Sequence, residues 1–149
     1  MIMFYACTTN PDFPNEPHLE YVSLSKNTIK QSILFNDTIQ LKMTFTDGDG
    51  DLGSDDSLSL FITDTRDQQM IPAYKIPFIP PQGSGNGISG ELFVNLPPTC
   101  CIYEDGSLPC SPNPNEPTDT LTYEIYIKDR AGNSSNKVTT DPIYLQCND

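Results

Sequence analysis

A chain of 149 residues is long enough for one domain with a core of its own and too short for two. Twenty acidic residues against eight basic leave a net charge of −12, which excludes nucleic acid and anionic lipid headgroups as direct partners and favours cations or basic protein surfaces. The 14 Pro and 9 Gly lie between apolar runs without any repeat, as turns do in an all-β chain.

The first element is Met1-Ile2-Met3-Phe4-Tyr5-Ala6 followed by Cys7. This apolar run lacks a basic start and is too short for a complete signal peptide. Residues 1–7 therefore read as the tail of a lipoprotein signal, with Cys7 as the lipid-anchor cysteine. Phe4 and Tyr5 depart from the residues that usually precede such a cysteine. Residues 8–17 are polar, Pro-rich and without period, a flexible tether that would span roughly 30–35 Å fully extended. Residues 18–149 read as a single domain.

The first strand is expected over 19–24. A second follows the turn signal Asn36-Asp37 over 38–45, where Ile39, Leu41, Met43 and Phe45 alternate with Gln40, Lys42 and Thr44. A third is expected over 57–63, with Leu58, Leu60 and Ile62 on one face. A fourth lies near 74–79, where Pro77 confines it to a sheet edge. Residues 85–90 spell GxGxxG, but a dinucleotide site needs that motif between a strand and a helix. Here it opens the fifth strand, over 88–94, and reads as a flexible loop. The sixth strand covers 121–128, with Leu121, Tyr123, Ile125 and Ile127 inward. The seventh covers 143–147, with a start near Val138 as the alternative. No segment carries a 3.6-residue apolar period. About seven short strands separated by turn signals predict an immunoglobulin-like (fibronectin- or cadherin-like) antiparallel β-sandwich. The Trp and inter-sheet disulfide of antibody domains are absent, so the likeness is one of architecture.

In that topology the connections alternate between two ends. The loops after the second, fourth and sixth strands share one tip, which brings Asp129 and Asn133 near Asp47, Asp49 and Asp51. The last strand ends where the long 96–120 loop begins, so Cys147 reaches Cys100 or Cys101. Apart from Cys7, the cysteines are Cys100, Cys101, Cys110 and Cys147. Adjacent cysteines do not meet disulfide geometry, which leaves two connectivities open: 100–110 with 101–147, or 100–147 with 101–110. A zinc site fails on spacing and on His18 being the only histidine.

Phe45-Thr46-Asp47-Gly48-Asp49-Gly50-Asp51-Leu52-Gly53 is the most distinctive stretch. Carboxylates at alternate positions converge on a hard cation that takes six to eight oxygens. An EF-hand is ruled out, because Leu52 stands where the sharp turn needs Gly and Leu58 where the bidentate Glu belongs. The expectation is a calcium site at the sandwich tip using Asp47, Asp49, Asp51, Asp55 or Asp56 together with Asp129. The competing account is turn chemistry alone, with Asp and Gly forming tight turns and Arg130 offsetting charge. Catalysis finds no constellation: there is a single His and no GxSxG elbow, and the carboxylates sit in acidic turns rather than an apolar pocket. A non-enzyme is expected.

FTDGDGDLG after the second strand, YEIYIKDRAGNSSN across the last two, and the terminal Cys147 together resemble small Ig-like lipoproteins of Bacteroidota outer membranes. The resemblance covers residues 7 to 147. It implies an exported, lipid-anchored β-sandwich acting as an accessory subunit of an outer-membrane complex. Its partners would be an outer-membrane protein or other lipoprotein subunits, and it would touch the membrane only through its lipid. The periplasmic and cell-surface faces are both left open, since no acidic run follows Cys7. The resemblance also implies an O-glycosylation motif, Asp-(Ser/Thr)-apolar. This occurs at Thr38, Ser57 and Thr120, and Thr120 is the best placed of the three.

The expected function is protein–protein interaction, with Ile102 and Tyr103 exposed on the 96–120 loop as contact residues. The alternative is a surface carbohydrate-binding module or adhesin, with Tyr126 and Tyr144 on outward registers as a stacking face. The lack of Trp counts against that alternative.

Overall fold

The computed structural model describes residues 12–34, 36–71, 73–80 and 87–148. The lipidation reading at Cys7 and the first part of the GxGxxG stretch lie outside these residues. Among them are nine strands: β1 (His18–Leu24), β2 (Thr28–Lys30), β3 (Ile39–Asp47), β4 (Leu60–Asp64), β5 (Ile88–Leu96), β6 (Thr118–Leu121), β7 (Tyr123–Ile127), β8 (Val138–Thr139) and β9 (Ile143–Gln146). No helix forms among the described residues.

Alternation fixes the first sheet. Along β3 the residues Ile39, Leu41, Met43, Phe45 and Asp47 are buried, and those between them face outward. A period of two places one face of a strand in the core and the other in water. β3 pairs antiparallel with β1 on one side and with β5 on the other. The opposing layer is a broken ribbon. β6 and β7 are separated by Thr122 alone and run antiparallel to β9 and β8, respectively. At the break, Tyr123 N donates to Thr140 Oγ1 and Thr140 N donates to Tyr123 O, each at 3.0 Å. β4 flanks β7 on its far edge, and β2 adds to β9 in parallel. Side chains from eight of the nine strands, all but β8, join one apolar core. These small antiparallel and mixed sheets are consistent with a β-sandwich.

The strand count differs from the expected seven for identifiable reasons. The sixth expected strand splits at Thr122, whose carbonyl accepts from Thr65 N at 3.1 Å and Thr65 Oγ1 at 3.0 Å instead of serving the ladder. The seventh splits around Asp141-Pro142, since Pro has no N–H to donate. β2 is a three-residue strand too short to show a period. The expected strand over 74–79 does not form. Tyr74 makes an isolated bridge to Leu60, Ile76 N then donates to Ser59 Oγ at 2.8 Å, and the segment peels away from the sheet edge. Leu58 lies outside β4 and is exposed, so it does not share the inward face of Leu60 and Ile62.

Two disulfides close the lower end. Cys101 pairs with Cys147 and Cys100 with Cys110, the first of the two connectivities left open by the sequence.

Candidate metal centre

The site begins with the alternation of β3 running two residues past Phe45. Asp47 takes the fifth inward position, opposite Ile88 of β5, and is 0% exposed. Its Oδ2 accepts from Leu52 N at 2.8 Å, and Leu52 is itself fully buried, so the loop folds back onto the core through an apolar anchor. Asp47 Oδ1 has no partner among the described residues. A buried polar atom without a partner carries a desolvation cost that native structures rarely leave unmet.

Three further carboxylates gather around it. Asp51 Oδ2 accepts from Ala131 N at 2.9 Å, which ties the acidic loop to the turn after β7, while Asp51 Oδ1 is buried and unpartnered. Asp129 is buried, and its two oxygens accept from Asn133 N at 2.7 Å and Asn133 Nδ2 at 2.8 Å. Asp49 stands exposed at the mouth. One oxygen from each of the four carboxylates lies within 4.8 Å of the others. Gly53 completes the loop with φ of 89°; a Cβ there would fall 2.2 Å from Pro77 O, so only Gly fits.

Turn chemistry accounts for one oxygen each of Asp47 and Asp51 and leaves the other two buried without a partner among the described residues. The electrostatics are unfavourable without a cation. Burial pushes the Asp47 carboxyl up to about 6, and the neighbouring charges of Asp49, Asp51 and Asp129 add to the effect against the Leu52 amide. Burial and then Asp129 and Asp49 raise Asp51. The Arg130 guanidinium is engaged within the loop: its Nη1 donates to Gly53 O at 2.6 Å, and it lies 5.0 Å over the Phe78 ring. Four carboxylates converging with two orphaned oxygens can hold a metal ion. An all-oxygen donor set selects a hard cation.

The remaining sequence candidates are distributed as follows. Asp55 does not join the cluster. It is exposed, and its Oδ1 accepts from Phe78 N at 3.3 Å, because the chain after Gly53 turns toward the 73–80 segment. Asp56 is exposed beside it. Tyr103 is not a surface contact residue: it is 6% exposed, donates its hydroxyl to Ser111 O and accepts from Gln31 Nε2 at 3.2 Å, packing beneath the loop. Ile102 is exposed. Thr120 is exposed but lies within β6, opposite Tyr144, and not on the preceding loop. Tyr126 and Tyr144 are not cross-strand neighbours: Tyr144 pairs with Thr120 of β6, whereas Tyr126 lies in β7, beyond the break at Thr122. The ring that stacks on Tyr126 is Phe61 of β4, at 4.9 Å between centroids and 12° between planes.

Two constellations are absent from the sequence reading. Arg66 is largely buried and bonds Asp64, Asp119 and the Cys100 carbonyl, pinning the long loop to β4. No local pattern announces contacts this distant in sequence. The other is the docking of residues 13–17 on the acidic tip, where Gly48 N donates to Pro14 O at 2.8 Å and Pro17 is buried. The free-tether reading therefore does not hold over those residues. Pro and polar composition signalled an absence of regular structure, which is a different property from an absence of contacts.

Compared with known proteins, the chain matches no family model, no curated protein and no solved structure.

Proposed function

We propose that this protein is a non-enzymatic, extracytoplasmic Ig-like module, lipid-anchored through Cys7 in an outer membrane, that carries one structural calcium ion at its tip and contacts a protein partner through its opposite end. The order β1-β3-β5 against β2-β9-β6 continued by β8-β7-β4 supports the Ig-like assignment, with the broken ribbon counted as two long strands.

The observation that carries the calcium assignment is the fully buried Asp47 with its orphaned Oδ1 inside a ring of three more carboxylates. Calcium–oxygen bonds of roughly 2.3–2.6 Å put oxygens on opposite sides of the ion about 4.6–5.2 Å apart. The four oxygens lie within 4.8 Å of one another, close enough to share one ion of that size, and carboxylates on an irregular loop suit the flexible coordination of calcium better than the strict octahedron of magnesium.

The partner surface is assigned to the far end of β3. There the loop before β3 meets the loop after β5, with Ser32 N donating to Thr99 O at 3.2 Å. These two loops expose Ile33 at 78%, Leu34 at 63%, Leu108 at 75% and Ile102 at 40%. Large apolar side chains exposed on two loops at one end, the second of them pinned by disulfides, support an interaction surface there. Gentle-detergent purification from native membranes should recover a stoichiometric partner. Replacing Ile102 and Leu108 with Ser should release that partner while leaving the fold intact. Retention of the partner by that variant would contradict the surface assignment.

The stacked, half-buried Phe61–Tyr126 pair supports a second reading, a surface carbohydrate-binding module or adhesin. Binding of soluble glycans that Tyr126→Ala abolishes would favour it.

A further inference from the structure

The segment that enters the domain is fastened to the same loop that holds the carboxylates. Gly48 lies between Asp47 and Asp49, and its N–H donates to Pro14 O at 2.8 Å. The approach is so close that a Cβ on Gly48 would fall 2.1 Å from Phe13 O and 2.4 Å from Pro14 O. The Phe13 ring reaches across to Gly87, where a Cβ would meet it at 3.4 Å and the carbonyls of Gly48 and Asp47 at 3.5 and 3.7 Å. Gly87 precedes Ile88, the residue paired with Asp47. Phe13 also lines a groove of about 380 Å3 over the outer face of β1, β3 and β5, together with His18, Thr46 and Ser89. The entering chain therefore grips the backbone of the cation loop from outside, while the carboxylates converge on the inside.

We propose that cation occupancy of the acidic tip locks residues 13–17 against the domain, so that the ion sets how rigidly the preceding chain is joined to the sandwich. The inference rests on the calcium reading above. Fixing the Asp47 and Asp49 carboxylates on one ion fixes the peptide of Gly48 between them. A fixed Gly48 presents a constant surface to Phe13 and Pro14, whereas a loop with four mutually repelling carboxylates samples several. Proline at positions 14 and 17 lowers the entropy lost when the segment docks. The coupling is reciprocal by linkage: whatever loosens the clasp weakens the ion by the same factor.

Two measurements on the full chain test it. Backbone 15N relaxation of Phe13, Asn15 and Glu16 should report rigid amides in calcium and mobile ones in chelator. Asp47→Asn should hold them mobile in both. By calorimetry, Phe13→Ala, which alters no carboxylate, should bind calcium at least about fivefold more weakly than the wild type. If calcium binds the wild type but either the amides at 13–16 or the Phe13→Ala affinity are unchanged, the clasp is wrong and the cation site stands. If the wild type takes up no calcium, both fail.

Discussion

Asp47 and Tyr123 are both buried ionisable groups, and the fold treats them in opposite ways. Asp47 sits where β3 would otherwise place an aliphatic side chain, with one oxygen unpartnered and three more carboxylates close by. Tyr123 faces the core of the other layer and keeps its proton: burial, then the neighbouring charge of Asp64, push its phenol up to about 12 from an ordinary 10. The sign of the linkage follows from that direction. The unfolded chain releases the phenolic proton near pH 10 while the folded chain still holds it. Stability is therefore complete below pH 10 and falls as pH rises toward 12, by roughly 2–3 kcal/mol from this residue. Denaturant midpoints measured between pH 9 and 12 should show the fall, and Tyr123→Phe should flatten it. A Tyr123→Phe profile parallel to the wild type would place the alkaline transition elsewhere.

At the scale of elements, the two disulfides act unequally. Cys101–Cys147 spans 46 residues and joins the start of the long loop to the end of β9, whereas Cys100–Cys110 closes 10 residues within that loop. Chain entropy in the unfolded state gives about 4 kcal/mol for the longer closure and about 3 kcal/mol for the shorter. The longer bridge is also buried at both cysteines. Removing it with Cys101→Ala and Cys147→Ala should cost more than removing the other pair with Cys100→Ala and Cys110→Ala. Equal losses in chemical denaturation would mean that the loop, not the closure, supplies the stability.

Strands with a core face were legible in the sequence, because alternation in β3, β4 and β7 follows from burial on one side. The breaks at Thr122 and Pro142 were not, since they depend on partners contributed from distant segments. The acidic cluster was legible in part. Asp47, Asp49 and Asp51 are adjacent in the chain, and loop alternation in a sandwich brings Asp129 to them. Continuing the inward register from Phe45 by two residues would also have marked Asp47 as buried. Asp55 was misplaced because the spacing of acidic residues says nothing about where the chain turns, and that turn is set by Gly53 against Pro77. Tyr103 was misplaced because an aromatic side chain on a disulfide-pinned loop can serve as the loop's own core. Here its hydroxyl meets Ser111 and Gln31 beneath the surface.

Across the whole molecule, chemistry divides by end. β3 runs for nine residues from the exposed apolar loops at Ile39 to the carboxylate ring at Asp47. A net charge of −12 makes the cation end costly to assemble unless positive charge arrives from outside. The apolar end carries the two disulfides and has no such dependence. Under the proposed anchoring, the entering chain docks at the acidic tip, so the lipid tether leaves from that end and the apolar loops point away from the membrane. The structural cation would then sit at the junction between tether and domain, where a rigid joint determines how far the partner surface projects.

The central claim is that the buried carboxylate of Asp47 exists to hold calcium, and thermal unfolding in calcium, magnesium and chelator tests it most directly. Calcium at a hundred times its dissociation constant should stabilise the wild type by about 2.7 kcal/mol, which raises the midpoint by about 5–10 °C for a domain of this size. Magnesium should give a smaller rise. Asp47→Asn should melt above the wild type in chelator, having lost a buried charge, and should gain nothing from calcium. Identical wild-type midpoints in calcium and chelator, or a full calcium response in Asp47→Asn, would contradict the account.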